Sequence, residues 1–220
     1  MPVLEADTQD EKVANFIRWR NGVSGFHSFA QECLFTIDQA RKMVRPYPNL
    51  ESEEFAYLKY CTARMIEETL LAIVKHRRMV ITWGGIVSIS TWDTLFHEAT
   101  DIAIVSKKDE DSDDLVKRCK FQLENIPREK MLKMPEWEYK WNLITFEHGS
   151  HIRGVAQGED QLRQYTYSRI FCDEIAFLPK AKGTFVGAKP TIEGGGKVCL
   201  VSTRYPGFFR DVVEDTINAD

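Results

Sequence analysis

Apolar residues along the first 48 positions recur at helical spacing, with Phe16, Ile17, Trp19, Phe26, Phe29, Leu34, Phe35 and Ile37 supplying the pattern. Gly22, Ser24 and Gly25 break this stretch into two pieces. Arg45-Pro46-Tyr47-Pro48 stops it, because each proline removes a backbone donor and restricts the residue before it. Asn49 is placed to cap a following helix, with Glu51, Glu53 and Glu54 at its positive end. The apolar positions of that helix are Phe55, Leu58, Tyr60, Cys61, Met65 and Ile66, and it ends near Glu68.

From there the pattern alternates. Leu70-Leu71-Ala72-Ile73-Val74 predicts a strand, residues 82–98 a helix, Ile102-Ala103-Ile104-Val105 a strand, and residues 110–125 a helix with an acidic first turn. Residues 127–135 form a charged connector, and residues 141–147 and 151–156 predict paired strands around Gly149. Arg169-Ile170-Phe171-Cys172 and Lys197-Val198-Cys199-Leu200-Val201 predict two more strands, and Gly194-Gly195-Gly196 a turn. Short continuous apolar runs separated by helices imply an α/β fold, with a mostly parallel central sheet covered by helices on both faces.

Composition narrows the function classes. The 220 residues are 43% hydrophobic and 28% charged, ordinary for a globular chain. No apolar run approaches the ~20 residues that cross a bilayer. The acidic start of the chain lacks the layout of a signal peptide. Cys33, Cys61, Cys119, Cys172 and Cys199 are scattered and odd in number, which argues against a disulfide framework or zinc site and for a reducing compartment. With a net charge of −4, any nucleic-acid contact must come from a local basic patch.

Ligands of open parallel sheets bind beyond the carboxyl ends of the strands, so the residues after each apolar run carry the functional signal. The first run is followed by Lys75-His76-Arg77-Arg78 and, at the next helix start, Thr82. Asp173-Glu174 follows the run at 169–172, and Ser202-Thr203-Arg204 follows the last. Each set has a bland reading: a solvated basic turn, a capping pair, a chance hydroxyl pair. Their ordered combination fits a nucleoside triphosphate with magnesium. A helix start at Thr82 offers unpaired N–H groups to an anion, its hydroxyl can ligate magnesium, and a lysine can neutralise phosphate oxygens. Asp173 is suited to hold the metal and Glu174 to activate the attacking water. Ser202 and Thr203 are placed to sense the γ-phosphate.

The set K-x-x-R-x-x-x-T-W, R-I-F-C-D-E-I-A-F and C-L-V-S-T-R-Y-P-G-F-F resembles the ATPase domain of the large terminase subunit of tailed bacteriophages. I-A-I-V-S-K-K-D-E-D and I-R-G-V extend the likeness over roughly residues 45–212. The resemblance implies a P-loop NTPase of the additional-strand (ASCE) type that hydrolyses ATP with magnesium and drives double-stranded viral DNA into a procapsid. It implies a variant phosphate loop with its lysine at the start, which gives Lys75 the phosphate-binding role, with Arg77 and Arg78 beside it. Arg78 is then a phosphate contact or a cis sensor, Asp173 the Walker B aspartate, Glu174 the catalytic glutamate, and Ser202-Thr203 the coupling motif. The same likeness implies partnership with a portal protein and a small terminase subunit. It further implies a homo-oligomeric ring in the host cytoplasm, transiently at the procapsid portal, and a monomer in dilute solution. It divides the chain into a helical extension over 1–48 and an ATPase domain over 49–220. The family's C-terminal nuclease has no counterpart here, so DNA cleavage is not expected.

Further candidates carry two readings each. Tyr47 stacks on the adenine or plugs the core; Arg153 is an arginine finger toward a neighbouring subunit, worth about 10³–10⁵ in rate, or pairs with Glu147. Trp83 and Trp92 read as core, and His148 and His151 lack the neighbours of a metal site. Two rivals to the motor stand: a helicase of related fold, and a degenerate module that binds DNA or a partner without hydrolysis. The loop from 75 to 82, which has no glycine, is the best support for the second.

Overall fold

The computed structural model describes residues 7–38, 41–77 and 79–214. Its centre is a seven-stranded sheet with order β3-β9-β8-β4-β7-β6-β5. In chain order the strands are β3 (Leu70–Val74), β4 (Asp101–Ser106), β5 (Trp137–Lys140), β6 (Leu143–Phe146), β7 (His151–Ala156), β8 (Arg169–Asp173) and β9 (Lys197–Ser202). The five strands from β3 to β7 across the sheet run parallel, while β6 and β5 add an antiparallel edge. The fold class expected from the alternating runs is therefore present, and β9 lies between β3 and β8, the place of the additional strand that the resemblance implies.

A period of two distributes the central strands between two cores. Ile102 and Ile104 of β4, Phe171 of β8, and Cys199 and Val201 of β9 face one. Ala103 and Val105, Ile170 and Cys172, and Val198 and Leu200 face the other. The first core is covered by α1 (Gln9–Arg20), α2 (Gly22–Cys33), α3 (Ala56–Glu67), α4 (Ser88–Phe96) and α5 (Asp109–Asn125). The second is covered by α6 (Glu159–Arg163), α7 (Ala181–Glu193) and α8 (Phe208–Val213). Arg169 anchors the start of β8 through a buried ion pair with Asp93 of α4, at 3.1 Å. Among the described residues no helix is long and apolar enough to cross a membrane.

The N-terminal helices belong to the main core. Trp19, Phe26 and Phe29 are buried, each a gain of ~1.5–3 kcal/mol over exposure, and the Trp92 indole donates to the Trp19 carbonyl at 2.7 Å. The helix break falls at Asn21 and Gly22, the latter at φ +60°. Gly25 instead lies inside α2 at the helix crossing, where a Cβ would meet the Arg18 and Trp19 carbonyl oxygens at 2.7 Å.

Three local expectations require correction. Residues 35–38 and 43–46 are not helical: β1 (Phe35–Asp38) and β2 (Met43–Pro46) form an antiparallel pair, because Leu34 turns to extended backbone and the ladder satisfies the donors that a proline-stopped helix would strand. Asn49 caps a turn rather than the helix itself. Its side chain accepts from the Glu51 amide at 3.0 Å, and a 3₁₀ turn at Glu53–Phe55 intervenes before α3. Trp141 lies outside the strand expected there, in the turn between β5 and β6, where Asn142 takes φ +60°.

Candidate functional site

Parallel register brings three strand ends to one rim. Val74 pairs with Ser202, and Asp173 with Val201, so Ser202 and Glu174 leave the sheet level with Val74, and Lys75 one residue beyond. The Lys75 amide donates to the Ser202 carbonyl at 2.8 Å, extending the ladder by one residue. Glu174 then turns the chain sharply in the left-handed region, φ +52° and ψ +38°, an uncommon conformation for a residue with a Cβ. That turn brings its carboxylate back over the strand ends. The Lys75 ammonium, itself buried, donates to Glu174 Oε1 at 2.6 Å.

Ser202 closes the cluster from below. Its fully buried hydroxyl donates to Glu174 Oε2 at 3.4 Å and accepts from the Ala176 amide at 3.1 Å. Thr203 is half-buried one residue farther out.

Thr82 enters from the neighbouring loop. It lies in the first turn of a π-helical stretch, Ile81–Val87, that runs directly into α4. Its hydroxyl donates toward both oxygens of Asp173, at 3.3 and 3.2 Å. The loop reaches this point without a left-handed residue among those described, which suits β-branched Val80 and Ile81. The nearby glycines serve packing instead: a Cβ on Gly84 would lie 2.8 Å from Leu58 Cδ2, and one on Gly85 2.8 Å from Met65 Sδ. The π-helical stretch thus sits tightly on α3, fixing where Thr82 points.

Burial, helped by the negative charge of Glu174, pushes the Asp173 carboxyl up to about 6 despite the opposing charge of Lys75 and the Thr82 hydrogen bond. A buried carboxylate that is costly to ionise is one that gains from a bound cation. The oxygen donors, one carboxylate and one hydroxyl, suit magnesium, which keeps waters and substrate phosphates in its remaining positions. Among the described residues no cluster of three or more His, Cys, Asp or Glu forms an all-protein metal cage.

Sequence reading missed Arg118. It projects from α5 over the Trp83 ring at 5.3 Å, and its positive charge acts on Asp173. Burial lowers its pKa while Asp173 opposes that shift. No short motif marks it: only its place beside inward-facing Leu115 and Cys119 signals a half-buried guanidinium.

The structure thus joins Lys75, Thr82, Asp173, Glu174 and Ser202. Arg77 is exposed at the mouth, and Arg78 lies outside the described residues. Tyr47 is not at the site. It is buried in the core, its hydroxyl donating to the Gly84 carbonyl at 2.6 Å, and burial raises its pKa; the plug reading replaces base stacking. Arg153 does not pair with Glu147, which binds Lys133 at 3.0 Å. Its guanidinium instead stacks on Tyr165, 4.1 Å from the ring centroid.

No protein-family model matches the chain. Solved structures do share its fold. A mutant of the large terminase ATPase domain from Thermus phage P74-26 matches at TM-score 0.54 and 13% identity, over 73% of each chain. The large terminase of bacteriophage HK97 matches at TM-score 0.60 and 11% identity, over 81% of this chain and 37% of that one. The large terminase of a thermophilic bacteriophage matches at TM-score 0.51 and 14% identity, over 67% of this chain and 37% of that one. The chain has the fold of these ATPase domains, and it spans little more than a third of the longer terminases.

Proposed function

We propose that this chain is a magnesium-dependent ATP hydrolase, the ATPase part of a viral DNA-packaging motor. The observation that carries the reading is the shared rim: a buried lysine 2.6 Å from Glu174, beside Thr82 within 3.3 Å of Asp173. The fold of terminase ATPase domains supports the setting. The domain division at residue 48, double-stranded DNA, a portal protein, a small terminase subunit and a ring at the procapsid in the host cytoplasm belong to the same proposal.

In this mechanism Lys75 leaves Glu174 for the β- and γ-phosphate oxygens as nucleotide enters, so binding itself frees the base. Glu174 accepts a proton from water as the water oxygen bonds to the γ-phosphorus. The bond to the β,γ-bridging oxygen breaks, and ADP leaves with the electron pair. Thr82 and Asp173 would hold magnesium, whose charge neutralises phosphate oxygens when bound. Ser202, bonded to Glu174 and to the Ala176 amide, ties the carboxylate to the segment after β8 and carries phosphate loss outward.

Thermal unfolding with and without magnesium-ATP tests the binding step. A ligand held only by the native state at a hundredfold over its Kd raises the melting temperature by about 5–10 °C in a domain of this size. Lys75→Met, which keeps the buried stem but removes the ammonium, should abolish that shift. An unshifted native protein at millimolar ATP favours the non-hydrolysing module instead.

A further inference from the structure

The ends of β8 and β9 carry a second feature beside the phosphate-binding residues. Phe177 closes the 3₁₀ turn Ile175–Phe177, three residues after Glu174, and Tyr205 stands three residues after Ser202. Their rings meet at 4.9 Å between centroids, tilted by 43°, yet Phe177 remains 37% and Tyr205 50% exposed. A cavity of 690 Å³ joins this pair to Lys75, His76, Arg77 and Arg204. Arg204 is held by Glu214 at 3.3 Å, so among the described residues the cavity's other cations are Lys75 and Arg77, with His76 between them in the chain.

One wall is therefore aromatic and the other basic, within a space large enough for a whole nucleotide. Resting on the reading of Lys75 as a phosphate ligand, we infer that the purine base of the bound triphosphate stacks on Tyr205. A ring spacing of 4.9 Å leaves no room for a base between the two aromatics. The base lies on the outer face of Tyr205, and Phe177 backs that ring and fixes its tilt. The site thereby takes over the base-stacking role that the buried Tyr47 cannot fill. Stacking uses the π-face that every base presents, so adenine and guanine nucleotides bind within a few-fold of each other.

Calorimetric titration of the native chain and of Tyr205→Ala with magnesium-ATP and with magnesium-tripolyphosphate separates base from phosphate contacts. Tyr205→Ala should weaken ATP about 5- to 150-fold while leaving tripolyphosphate within twofold. Tyr205→Phe, which keeps the ring, should bind both as the native chain does. Unchanged ATP affinity in Tyr205→Ala overturns the inference, as does equal weakening of both ligands. A native chain that binds tripolyphosphate as tightly as ATP also overturns it but leaves the phosphate assignment standing. A native chain that binds neither overturns the phosphate assignment, and the base site with it.

Discussion

Glu174→Gln should lower ATP turnover by about 10²–10⁴-fold while tightening magnesium-ATP binding by about threefold to tenfold. The loss follows from removing the proton acceptor for the attacking water. The gain follows from the geometry of the site, where the Lys75 ammonium donates to Glu174 at 2.6 Å. An incoming phosphate must displace that carboxylate, and a neutral amide is displaced more readily. Glutamine is preferable to alanine here because Lys75 is buried and Glu174 is its ion-pair partner; the amide oxygen keeps an acceptor in place. Steady-state turnover with calorimetric ATP binding reads both effects. Native turnover in the variant removes Glu174 from the base role, and weakened binding removes the proposed exchange of Lys75 between carboxylate and phosphate.

Asp173→Asn should raise the stability of the nucleotide-free protein at pH 7–8 by about 1–3 kcal/mol, or roughly 2–10 °C in melting temperature, and abolish magnesium-dependent stabilisation by ATP. Burial holds the folded-state pKa at about 6, well above the ordinary aspartate range of ~4, so the native state holds this proton more tightly than the unfolded chain. Stability from this group is therefore present at low pH, declines as pH rises through about 4 to 6, and reaches its full penalty above 6. Asparagine removes the penalty, so its advantage should vanish near pH 4, where the native aspartate is already protonated. Denaturant melts of both proteins from pH 4 to pH 8 measure the divergence. A variant less stable than the native chain at pH 8 would contradict a costly buried carboxylate.

The strands that carry the site were legible because parallel sheets bury both faces. Ile102-Ala103-Ile104-Val105 and Arg169-Ile170-Phe171-Cys172 appear as unbroken apolar runs, and Asp173 and Glu174 stand directly at an end. The edges were harder. In β5, Trp137 and Tyr139 are half-buried and Glu138 and Lys140 exposed, an alternation too short to separate from the charged connector before it. Helix α7 holds Gly183, Gly187 and Pro190, residues of low helix propensity, and forms against the second core despite them. Phe35 and Ile37 continued the apolar spacing of α2, which hid the hairpin until backbone pairing was visible.

Within the site, residues at strand ends announced themselves, whereas those brought in by tertiary packing did not. Lys75 and Thr82 flank one short loop, so their nearness follows from sequence alone. Arg118 acts on a residue 55 positions later in the chain, and the place inferred for Tyr205 depends on Phe177 packing beside it from the 3₁₀ turn after β8. Tyr47 carries two readings in the sequence because an aromatic ring suits a nucleobase and a core equally well. The Gly84 carbonyl, which satisfies its hydroxyl deep inside, is what decides between them.

A crystal structure with magnesium and a non-hydrolysable ATP analogue tests the account most directly. It should show the Lys75 ammonium moved from Glu174 to the phosphates, with Thr82 and Asp173 beside the metal. A triphosphate bound elsewhere, with the Lys75–Glu174 pair still closed, would contradict it.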